Sequence, residues 1–503
     1  MNLKSTDLVS LFEKALIGGE QQHLDEIGIV IQMGDGICRV HGLEHAVYNE
    51  LVEFEQGNQG IILDLDEGFV SIFLLHRHIP VKEREIVKRT GSVFKIPIGM
   101  NLLGRVINVL SKPIDGLGPI ETHELCAIEA FAPSVIERSP VTVPLETGIL
   151  AVDAFIPIGR GQRELIIGNR NTGKTAFALD TILHQKGKNV LCIYVSISQR
   201  QANVAQIIRT LLEHDALAYT VIVCADSSDS VLSQYLAPYV GCTVGEYFRS
   251  QGHDALIVYD DLTNHAIAYR EMSLLMRRPP GREAYPGDVF YLHSRLLERA
   301  GNILNGGSLT ALPIAQVQGD DITAYIPTNL ISITDGQIIL DDQLFKNGIR
   351  PAVNIGLSVS RIGGAAQTKA IKKTAKTLGL ELAQYRELIE FSQFGTELDK
   401  DAQRRIDRGA RVMEILKQPQ HVTYSFVQES LMLFLLQEGY ADSLALDEVS
   451  RFATHFISYV ESVYADVFNH IKTTTEISTE TETKLHAIAK EFSLVFATKE
   501  GAE

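Results

Sequence analysis

One short segment restricts what this chain can fold into more than any other. Residues 168–175 read Gly-Asn-Arg-Asn-Thr-Gly-Lys-Thr, which fits the pattern G-x-x-x-x-G-K-S/T of a phosphate-binding loop. An apolar run, Leu165–Ile167, precedes the segment, and a helix-forming run, Ala176–Asp180, follows it. A loop between a strand and a helix presents backbone N–H groups and a helix N-terminus to phosphate oxygens. The sequence therefore predicts a domain that binds a nucleoside triphosphate.

Such a loop requires a second element, an apolar strand that ends in a carboxylate beside the Mg²⁺ of the nucleotide. The run Ala255–Asp261 supplies this element, because its apolar residues lead into two aspartates. We predict that Thr175 and Asp260, which ends the strand first, coordinate Mg²⁺. Asp261 is a second candidate ligand, or it caps the following helix. Lys174 is expected to reach the β and γ phosphates. The two elements in this order predict a RecA-like nucleotide-binding domain.

The pattern of apolar residues predicts several domains. In residues 24–95, short strands separated by turns such as Gly34–Gly36 predict a small β-barrel or sandwich. In residues 96–371, apolar strands alternate with helices, which predicts a largely parallel sheet for the α/β nucleotide-binding domain. Residues 372–503 have helical periodicity and are predicted to form an α-helical domain. The strands predicted for the central domain are Leu165–Ile167, Val190–Val195, Thr220–Cys224 and Ala255–Tyr259.

Residues 1–23 are predicted to contain an amphipathic helix over residues 5–17, which is either a packed arm or a docking segment for a partner. In the last part of the chain, a polar stretch over residues 472–483 is expected to lead into a final amphipathic helix. The apolar face of that helix is predicted to contain Leu485, Ile488, Phe492 and Val495.

Composition and charge argue against several classes of protein. The formal net charge of −16 disfavours a nucleic-acid partner, because phosphate binding needs a basic face. No run approaches the roughly 18 to 20 apolar residues that a membrane span needs. Residues 1–7 lack the features of a signal peptide, so we expect a location on the cytosolic side of any membrane. The five scattered cysteines are expected to be reduced thiols. His76 and His78 lack further ligands nearby, and no metal site is predicted there.

The position expected to supply a water-orienting acid carries an amide. In RecA-like ATPases this acid commonly follows the strand after the loop helix. Here the strand Val190–Val195 leads to Gln199, and an amide cannot take a proton. General-base assistance accelerates reactions by about 10²- to 10⁴-fold, so we expect a site that binds nucleotide and hydrolyses almost none. The alternative is that Gln199 is a surface residue and that the base lies elsewhere.

Several longer segments carry a family resemblance. They are Pro157–Leu165, Tyr259–Leu262, Ala268–Arg270, Leu274–Phe290, Ala324–Asn329 and Gly356–Arg361. Together these segments resemble the alpha subunits of the rotary, F-type ATP synthase, from about residue 24 to about residue 420 and more loosely toward both ends. Gln199 separates the alpha type from the similar catalytic beta type, which carries a glutamate at that position.

The resemblance implies a place in an assembly that makes ATP from ADP and phosphate with a transmembrane proton gradient. Three alpha and three beta subunits would alternate in a ring around the central-stalk gamma subunit, with the peripheral-stalk delta subunit as a further partner. Beta sites turn over, whereas alpha sites hold ATP or ADP with Mg²⁺ without turnover. The complex would lie on the cytoplasmic side of a bacterial cell membrane, with this chain peripheral to it.

The resemblance also implies the residues of two sites. Gln199 and Asp260 would lie near the metal of the chain's own site. Arg361, as an arginine finger, and Ser332 would face the neighbouring beta site. The phosphates of the chain's own nucleotide would lie among Arg170, Asn171, Thr172, Gly173, Lys174, Thr175 and Ala176. The adenine would lie among Phe345, Arg350, Gln418 and Gln420.

Three positions depart from the usual pattern of alpha subunits. Asn169 and Asn171 stand where the family has Asp and Gln, and Ser198 replaces a glycine. Asn171 is one methylene shorter than Gln, so we expect Asn171→Gln to tighten nucleotide binding if that reach is a lost contact. The departures leave open whether the chain is a divergent or second-copy alpha subunit.

Two functions from other classes remain as alternatives. A homohexameric nucleic-acid translocase would need a basic, aromatic-rich platform in the N-terminal barrel, and the acidic segments Leu51–Glu55 and Asp64–Glu67 do not fit one. A self-sufficient secretion-type ATPase would need a carboxylate at position 199. Proton and sodium coupling are not distinguished by the sequence.

Overall fold

The computed structural model describes residues 26–75, 80–122, 124–319, 321–392 and 399–500. These residues divide into two compact units, with the boundary between Phe94 and Lys95. The predicted N-terminal helix and the segment that contains His76 and His78 lie outside the described residues.

The first unit is a closed antiparallel barrel, which decides between the barrel and the sandwich that the sequence left open. Its strands are β1 (Ile27–Gly34), β2 (Ile37–His41), β3 (Glu50–Phe54), β4 (Gln59–Asp66), β5 (Phe69–Leu74) and β6 (Ile86–Val93). The spatial order is β1-β2-β5-β4-β3-β6. Val40, Val52, Ile62 and Ile72 fill its interior. Full closure pairs every strand on both sides, so the barrel has no free sheet edge.

The second unit contains a nine-stranded sheet. Its strands are β8 (Val106–Ile107), β10 (Leu165–Gly168), β11 (Val190–Gln199), β12 (Thr220–Asp226), β13 (Asp254–Asp260), β14 (Gly301–Asn302), β15 (Ser308–Gln316), β16 (Gly336–Leu340) and β17 (Val359–Ser360). The spatial order is β17-β16-β10-β15-β13-β11-β12-β8, with β14 beside β15. All neighbours pair in parallel except β14 with β15 and β17 with β16, which pair antiparallel. A separate pair joins β7 (Lys95–Ile98) and β9 (Glu124–Ala127).

The helices of the nucleotide-binding part alternate with these strands, as the sequence predicts. They are α1 (Leu150–Phe155), α2 (Lys174–Leu183), α3 (Gln201–Glu213), α4 (Val231–Ser250), α5 (Leu262–Leu275), α6 (Val289–Leu297), α7 (Tyr325–Ile333) and α8 (Asp342–Lys346). One strand is longer than predicted. β11 continues past Val195 because Ser196 and Ile197 still pair with β12, and Gln199 therefore ends the strand instead of following it.

The C-terminal part is helical, as predicted. Its helices are α9 (Lys369–Ser392), α10 (Lys400–Ile415), α11 (Phe426–Gln437), α12 (Leu446–Val463), α13 (Ala465–Thr474) and α14 (Thr479–Glu500). Its apolar side chains form one continuous core with those of the nucleotide-binding part.

Two expectations about the last helix are wrong in detail. α14 begins inside the polar stretch, at Thr479, where the hydroxyl of Ser478 accepts a hydrogen bond from the backbone N–H of Thr481. Val495 is 39% exposed, whereas Phe496 is 7% exposed and packs in the core instead.

All five cysteines are free, as expected. Within the described residues, we find no helix that is both long enough and apolar enough to cross a membrane.

Candidate functional site

The phosphate-binding loop connects β10 to α2. Gly168 ends the strand in a crowded position, because a Cβ there would collide with the hydroxyl of Thr172 and the carbonyl of Leu340. Gly173 has φ 97° and occupies the N-cap position of α2, which favours glycine because other residues rarely adopt this conformation. The loop therefore turns sharply and brings the N-terminus of α2 to its concave side, as anion binding requires.

Lys174 is held along this loop. Its side-chain Nζ donates hydrogen bonds to the carbonyl oxygens of Gly168, at 3.0 Å, and of Asn169. Burial lowers the pKa of the Lys174 ammonium, which is a sign that the charge is poorly solvated. A poorly solvated ammonium gains strongly from an anion nearby, so a bound phosphate would be a favourable partner for it.

The carboxylate of Asp260 lies directly beside the loop. Its Oδ2 accepts hydrogen bonds from the hydroxyl of Thr175 at 2.7 Å and from the hydroxyl of Tyr194 at 2.6 Å. The side-chain amide of Gln199 donates to the backbone carbonyl of Asp260 at 3.2 Å and, more weakly, to the Tyr194 hydroxyl at 3.4 Å. The ends of β11 and β13 and the start of α2 therefore converge on one polar cluster.

Asp261 has a different structural role from Asp260. Its side chain caps α5 by accepting a hydrogen bond from the backbone N–H of Asn264 at 2.7 Å. Burial, with the neighbouring charge of Asp260, raises the pKa of Asp261 to about 7. Of the two aspartates, Asp260 is thus the one whose carboxylate contacts Thr175, and Asp261 caps the N-terminus of α5.

The donor set suits Mg²⁺ in the way that triphosphate sites use it. Mg²⁺ prefers oxygen ligands and is commonly held by one or two carboxylates together with phosphate oxygens and water. Thr175 and Asp260 offer a hydroxyl and a carboxylate oxygen 2.7 Å apart. Among the described residues there is no group of three or more His, Cys, Asp or Glu side chains placed to hold a metal by themselves.

The residues expected around adenine do line one pocket. The ring of Phe345 lies under the guanidinium of Arg350, with 4.8 Å from Cζ to the ring centroid. The pocket also reaches the start of α2, at Gly173 and Ala176, which connects it to the phosphate-binding loop. Its lining further includes Ile149, Thr172, Phe177, Asp180, Leu340, Pro351, Ala352, Gln418, Pro419 and Gln420.

The side-chain amide of Gln418 forms hydrogen bonds with backbone groups of the protein itself. Its amide oxygen accepts from the backbone N–H of Leu150, and its amide nitrogen donates to the carbonyls of Gly148 and Val422. Gln418 is buried, whereas Gln420 is exposed. Gln420 is therefore the one of these two glutamines whose side chain is exposed at the pocket.

Arg170 and Asn171 form the exposed tip of the loop. Asn171 has φ 65°, a left-handed conformation in which asparagine is enriched over longer side chains. The backbone at this position therefore favours asparagine, a preference that opposes any gain in reach from a glutamine side chain.

Arg361 and Ser332 are remote from this loop. Arg361 directly follows the edge strand β17, whose Ser360 pairs with Gly336 at the start of β16. β16 and β10 run in parallel, with Gln337 beside Leu165, so Arg361 lies at the amino end of β10 and the loop at its carboxyl end. Arg361 is exposed, and its Nη1 makes one long hydrogen bond, 3.5 Å to the carbonyl of Thr334.

Ser332 is exposed near the end of α7, where its hydroxyl donates to the carbonyl of Asn329 at 2.7 Å. It stands two residues before Thr334, so the end of α7 and Arg361 belong to the same edge of the sheet.

The sequence reading missed two partners of the phosphate site. Tyr194 lies in the middle of an apolar strand, and its hydroxyl finds Asp260 only because β11 and β13 are neighbours. Asp180 of α2 accepts hydrogen bonds from the backbone and the ring Nδ1 of His421, both at 3.0 Å. A polar residue within an apolar run was the only signal for Tyr194, and no local pattern pointed to the Asp180–His421 pair.

Comparisons with known proteins give a consistent result along nearly the whole chain. Family models match at residues 13–91 (ATP synthase alpha/beta family, beta-barrel domain), 148–360 (nucleotide-binding domain of the same family) and 367–492 (ATP synthase alpha/beta chain, C-terminal domain). A protein of Caldanaerobacter subterraneus subsp. tengcongensis is 53% identical over 94% of both chains, and one of Clostridium kluyveri is 51% identical over 99% of both. One of Dehalococcoides mccartyi is 51% identical over 96% of this chain and 97% of its own length. All three relatives bear the name ATP synthase subunit alpha.

Proposed function

Because this chain belongs to the ATP synthase alpha/beta family, we propose that it is a non-catalytic, regulatory subunit of the alpha type in an F-type ATP synthase. In this role it binds ATP or ADP with Mg²⁺ at its own phosphate-binding loop without turnover. It also supplies Arg361 to the catalytic site of an adjacent beta subunit.

The observation that carries this proposal is the position of Gln199. The amide stands at the end of β11, hydrogen-bonded to the backbone of Asp260 and close to the Tyr194 hydroxyl. The amide of Gln199 therefore lies next to Asp260, the carboxylate that would coordinate Mg²⁺. A water-orienting acid would have to act at this same position. An amide can hold a water molecule but cannot accept its proton, so binding is retained while general-base assistance is lost.

The nucleotide would be held by groups that the fold brings together. Lys174, the loop N–H groups and the N-terminus of α2 would bind the phosphates. Thr175 and Asp260 would hold Mg²⁺, which neutralises phosphate charge. Phe345, Arg350 and Gln420 would bind the base. Gln418 would contribute indirectly, because its side chain holds the backbone of Gly148 and Leu150 by hydrogen bonds.

The place of Arg361 supports a role outside the chain's own site. β10 has four residues, so three steps of about 3.3 Å separate Leu165 from Gly168, and its two ends lie about 10 Å apart. Arg361 and the phosphate-binding loop lie at opposite ends of this strand. An exposed guanidinium at the opposite end of the strand from the chain's own nucleotide site is suited to a neighbour's site, where it would neutralise charge on the transferring phosphoryl group.

The proposal includes the assembly and its location. Alternation with three catalytic beta subunits around a gamma subunit would bring each Arg361 to a beta site, and a delta subunit would connect the ring to the peripheral stalk. The complex would couple ATP synthesis to proton flow at the cytoplasmic face of a bacterial membrane, with this chain peripheral. The net charge of −16 suits such a water-exposed position.

The experiment is a measurement of binding and turnover on the purified full-length chain. We expect Mg-ATP to bind, by nucleotide retained after gel filtration, while steady-state hydrolysis stays negligible. The same chain reconstituted with a beta subunit should hydrolyse ATP. Vigorous hydrolysis by the partner-free chain would contradict the alpha-type function.

A further inference from the structure

A buried carboxyl group lies beneath the edge that carries Arg361. Glu164 immediately precedes β10, and its side chain is fully buried. Its Oε2 accepts a hydrogen bond from Nε2 of Gln162 at 2.7 Å, whereas its Oε1 has no hydrogen-bond partner within the described residues. A Cβ on Gly336 would collide with both carboxyl oxygens, so the group packs directly against the backbone of β16.

These surroundings favour the protonated form of Glu164. An ionised carboxylate needs several donors or a paired cation when it is removed from water, and this one has a single amide donor. Burial raises the pKa of Glu164 well above its usual range, and the charge of Asp335 adds to the effect, while Gln162 and Arg361 oppose it.

A short hydrogen-bonded chain connects Glu164 to the residue before Arg361. Nε2 of Gln162 also donates to the hydroxyl of Ser360, at 3.0 Å, and the Gln162 amide oxygen accepts from the backbone N–H of Gly159. The Ser360 hydroxyl donates to the carbonyl of Pro157 at 2.6 Å. Gln162 is itself fully buried, so this chain has little freedom to rearrange. The backbone that carries Arg361 is therefore fastened to Glu164 through Gln162.

Asp335, whose backbone carbonyl accepts from the backbone N–H of Arg361, and Glu298 are neutralised by other arginines. Asp335 accepts two hydrogen bonds from the guanidinium of Arg163, at 2.8 and 3.0 Å. Glu298 is paired with Arg163 and with Arg138. In the part of the chain that the structure describes, no ion pair joins Arg361 to a carboxylate.

We propose that Glu164 is a positioning residue for the reaction in the adjacent subunit: as a neutral carboxyl it anchors Gln162 and Ser360 beneath Arg361 and leaves the guanidinium without an internal counter-ion. The inference rests on the proposed role of Arg361 as the arginine finger. If Glu164 ionised, its carboxylate would attract the guanidinium of Arg361 and compete with the phosphoryl group for it. Loss of the proton would then reduce turnover without removing any group that touches the substrate.

The test compares the pH dependence of hydrolysis by the complex reconstituted with beta subunits, carrying wild-type chain or Glu164→Gln. The glutamine has the shape of the protonated acid and cannot ionise. We expect the two complexes to have kcat values within about twofold near neutral pH. At alkaline pH, toward about pH 9, kcat of the wild-type complex should be lower than kcat of the variant, because the pKa of a buried glutamate can be raised that far. KM should change little, because an arginine finger acts mainly in the transition state.

Further variants separate this role from simple stabilisation. Glu164→Ala should lower kcat about tenfold or more, since small displacements of a positioned group are costly. Glu429→Gln is the matched control. Glu429 is a second fully buried acid, on α11 beside Asp153, and its replacement should leave the pH profile of kcat unchanged.

Arg361→Ala, alone and combined with Glu164→Gln, distinguishes the two proposals. If Arg361→Ala abolishes turnover while wild type and Glu164→Gln keep the same pH profile, the positioning role is wrong and the finger stands. If Arg361→Ala leaves turnover intact, both proposals are wrong. In the Arg361→Ala background, Glu164→Gln should no longer raise the residual kcat at alkaline pH. If it still does, the inference is also wrong.

Discussion

At the carboxyl end of β10 the chain surrounds a phosphate-binding loop with its own side chains, whereas at the amino end it presents an exposed arginine. The loop end brings together Lys174 and Thr175 of α2 and Asp260 of β13, within hydrogen-bond distance of one another or of the loop backbone. The arginine end has Arg361 on an edge strand with a single long hydrogen bond. The first arrangement is complete within one chain, and the second has a function, under our proposal, only beside a neighbouring subunit.

The two ends of β10 have opposite electrostatic requirements. At the loop, Lys174 and the helix N-terminus collect positive charge where phosphate would bind, and Asp260 balances it for the metal. At the arginine end, Asp335 and Glu298 are paired with Arg163, and burial favours the neutral form of Glu164, so none of these three acids forms an ion pair with Arg361 within the described residues. A subunit that binds nucleotide and also serves a neighbour's nucleotide requires both arrangements, kept apart by the length of a strand.

The largest effect is expected from Arg361→Ala in the reconstituted complex. An arginine finger accelerates phosphoryl transfer by about 10³- to 10⁵-fold, so steady-state hydrolysis should collapse while assembly and ATP binding at beta sites persist. Arg361→Lys should recover little, because an ammonium lacks the planar fork. The matched control is Arg404→Ala, which removes an exposed arginine that pairs with Asp401 one turn away. A loss of less than tenfold for Arg361→Ala would remove the contrast between the two ends.

The next effect is expected at the loop. Lys174→Ala removes a charge-assisted contact worth about 1.5 to 3 kcal/mol, which should weaken Mg-ATP binding by the free chain roughly 10- to 100-fold. Lys186→Ala is the control, because Lys186 is an exposed lysine paired with Asp215 at the surface. Equilibrium titration of nucleotide against the two variants measures the difference. Equal affinities for both would mean that the loop is not the binding site.

A smaller effect is expected from Tyr194→Phe, which tests the hydrogen-bonded cluster around Asp260. The change deletes the hydroxyl that donates to Asp260 at 2.6 Å and keeps the ring that packs in the sheet. A net hydrogen bond is worth about 0.5 to 1.5 kcal/mol, so Mg-ATP affinity should fall roughly two- to tenfold. ATP affinity measured with EDTA in place of Mg²⁺ should change less, since the hydroxyl acts through the metal ligand. An equal loss under both conditions would place its effect on the fold instead.

The smallest effect is expected from Asn171→Gln. The longer side chain extends the reach by one methylene, but φ at this position is 65°, which favours asparagine. The two effects oppose each other, and we expect nucleotide retention after gel filtration to change by less than about threefold, within ordinary variation for an exposed position. Clearly higher retention by the glutamine variant would show that reach matters more than backbone preference.

Much of the fold was predictable because its signals are local. Short strands separated by turns indicated a barrel or a sandwich, continuous apolar runs indicated β10 to β13, and helical spacing indicated the C-terminal helices. Errors arose where a partner strand or a packing face decided the outcome. β11 continues to Gln199 because β12 continues beside it. Val495 is exposed and Phe496 buried because the neighbouring helix selects the face, and periodicity alone leaves a one-residue uncertainty.

The loop of residues 168–175, the aspartate pair and the amide at position 199 were determined by the sequence itself, because each depends on residue types at short spacing. The separate duties of Asp260 and Asp261, the engagement of Gln418 and the pairing of Tyr194 with Asp260 were decided by the tertiary structure. So was the burial of Glu164 beneath Arg361, almost two hundred residues away along the chain. Such facts depend on which strands become neighbours, and hydrogen bonding and desolvation act through space, where spacing along the chain carries no information about distance.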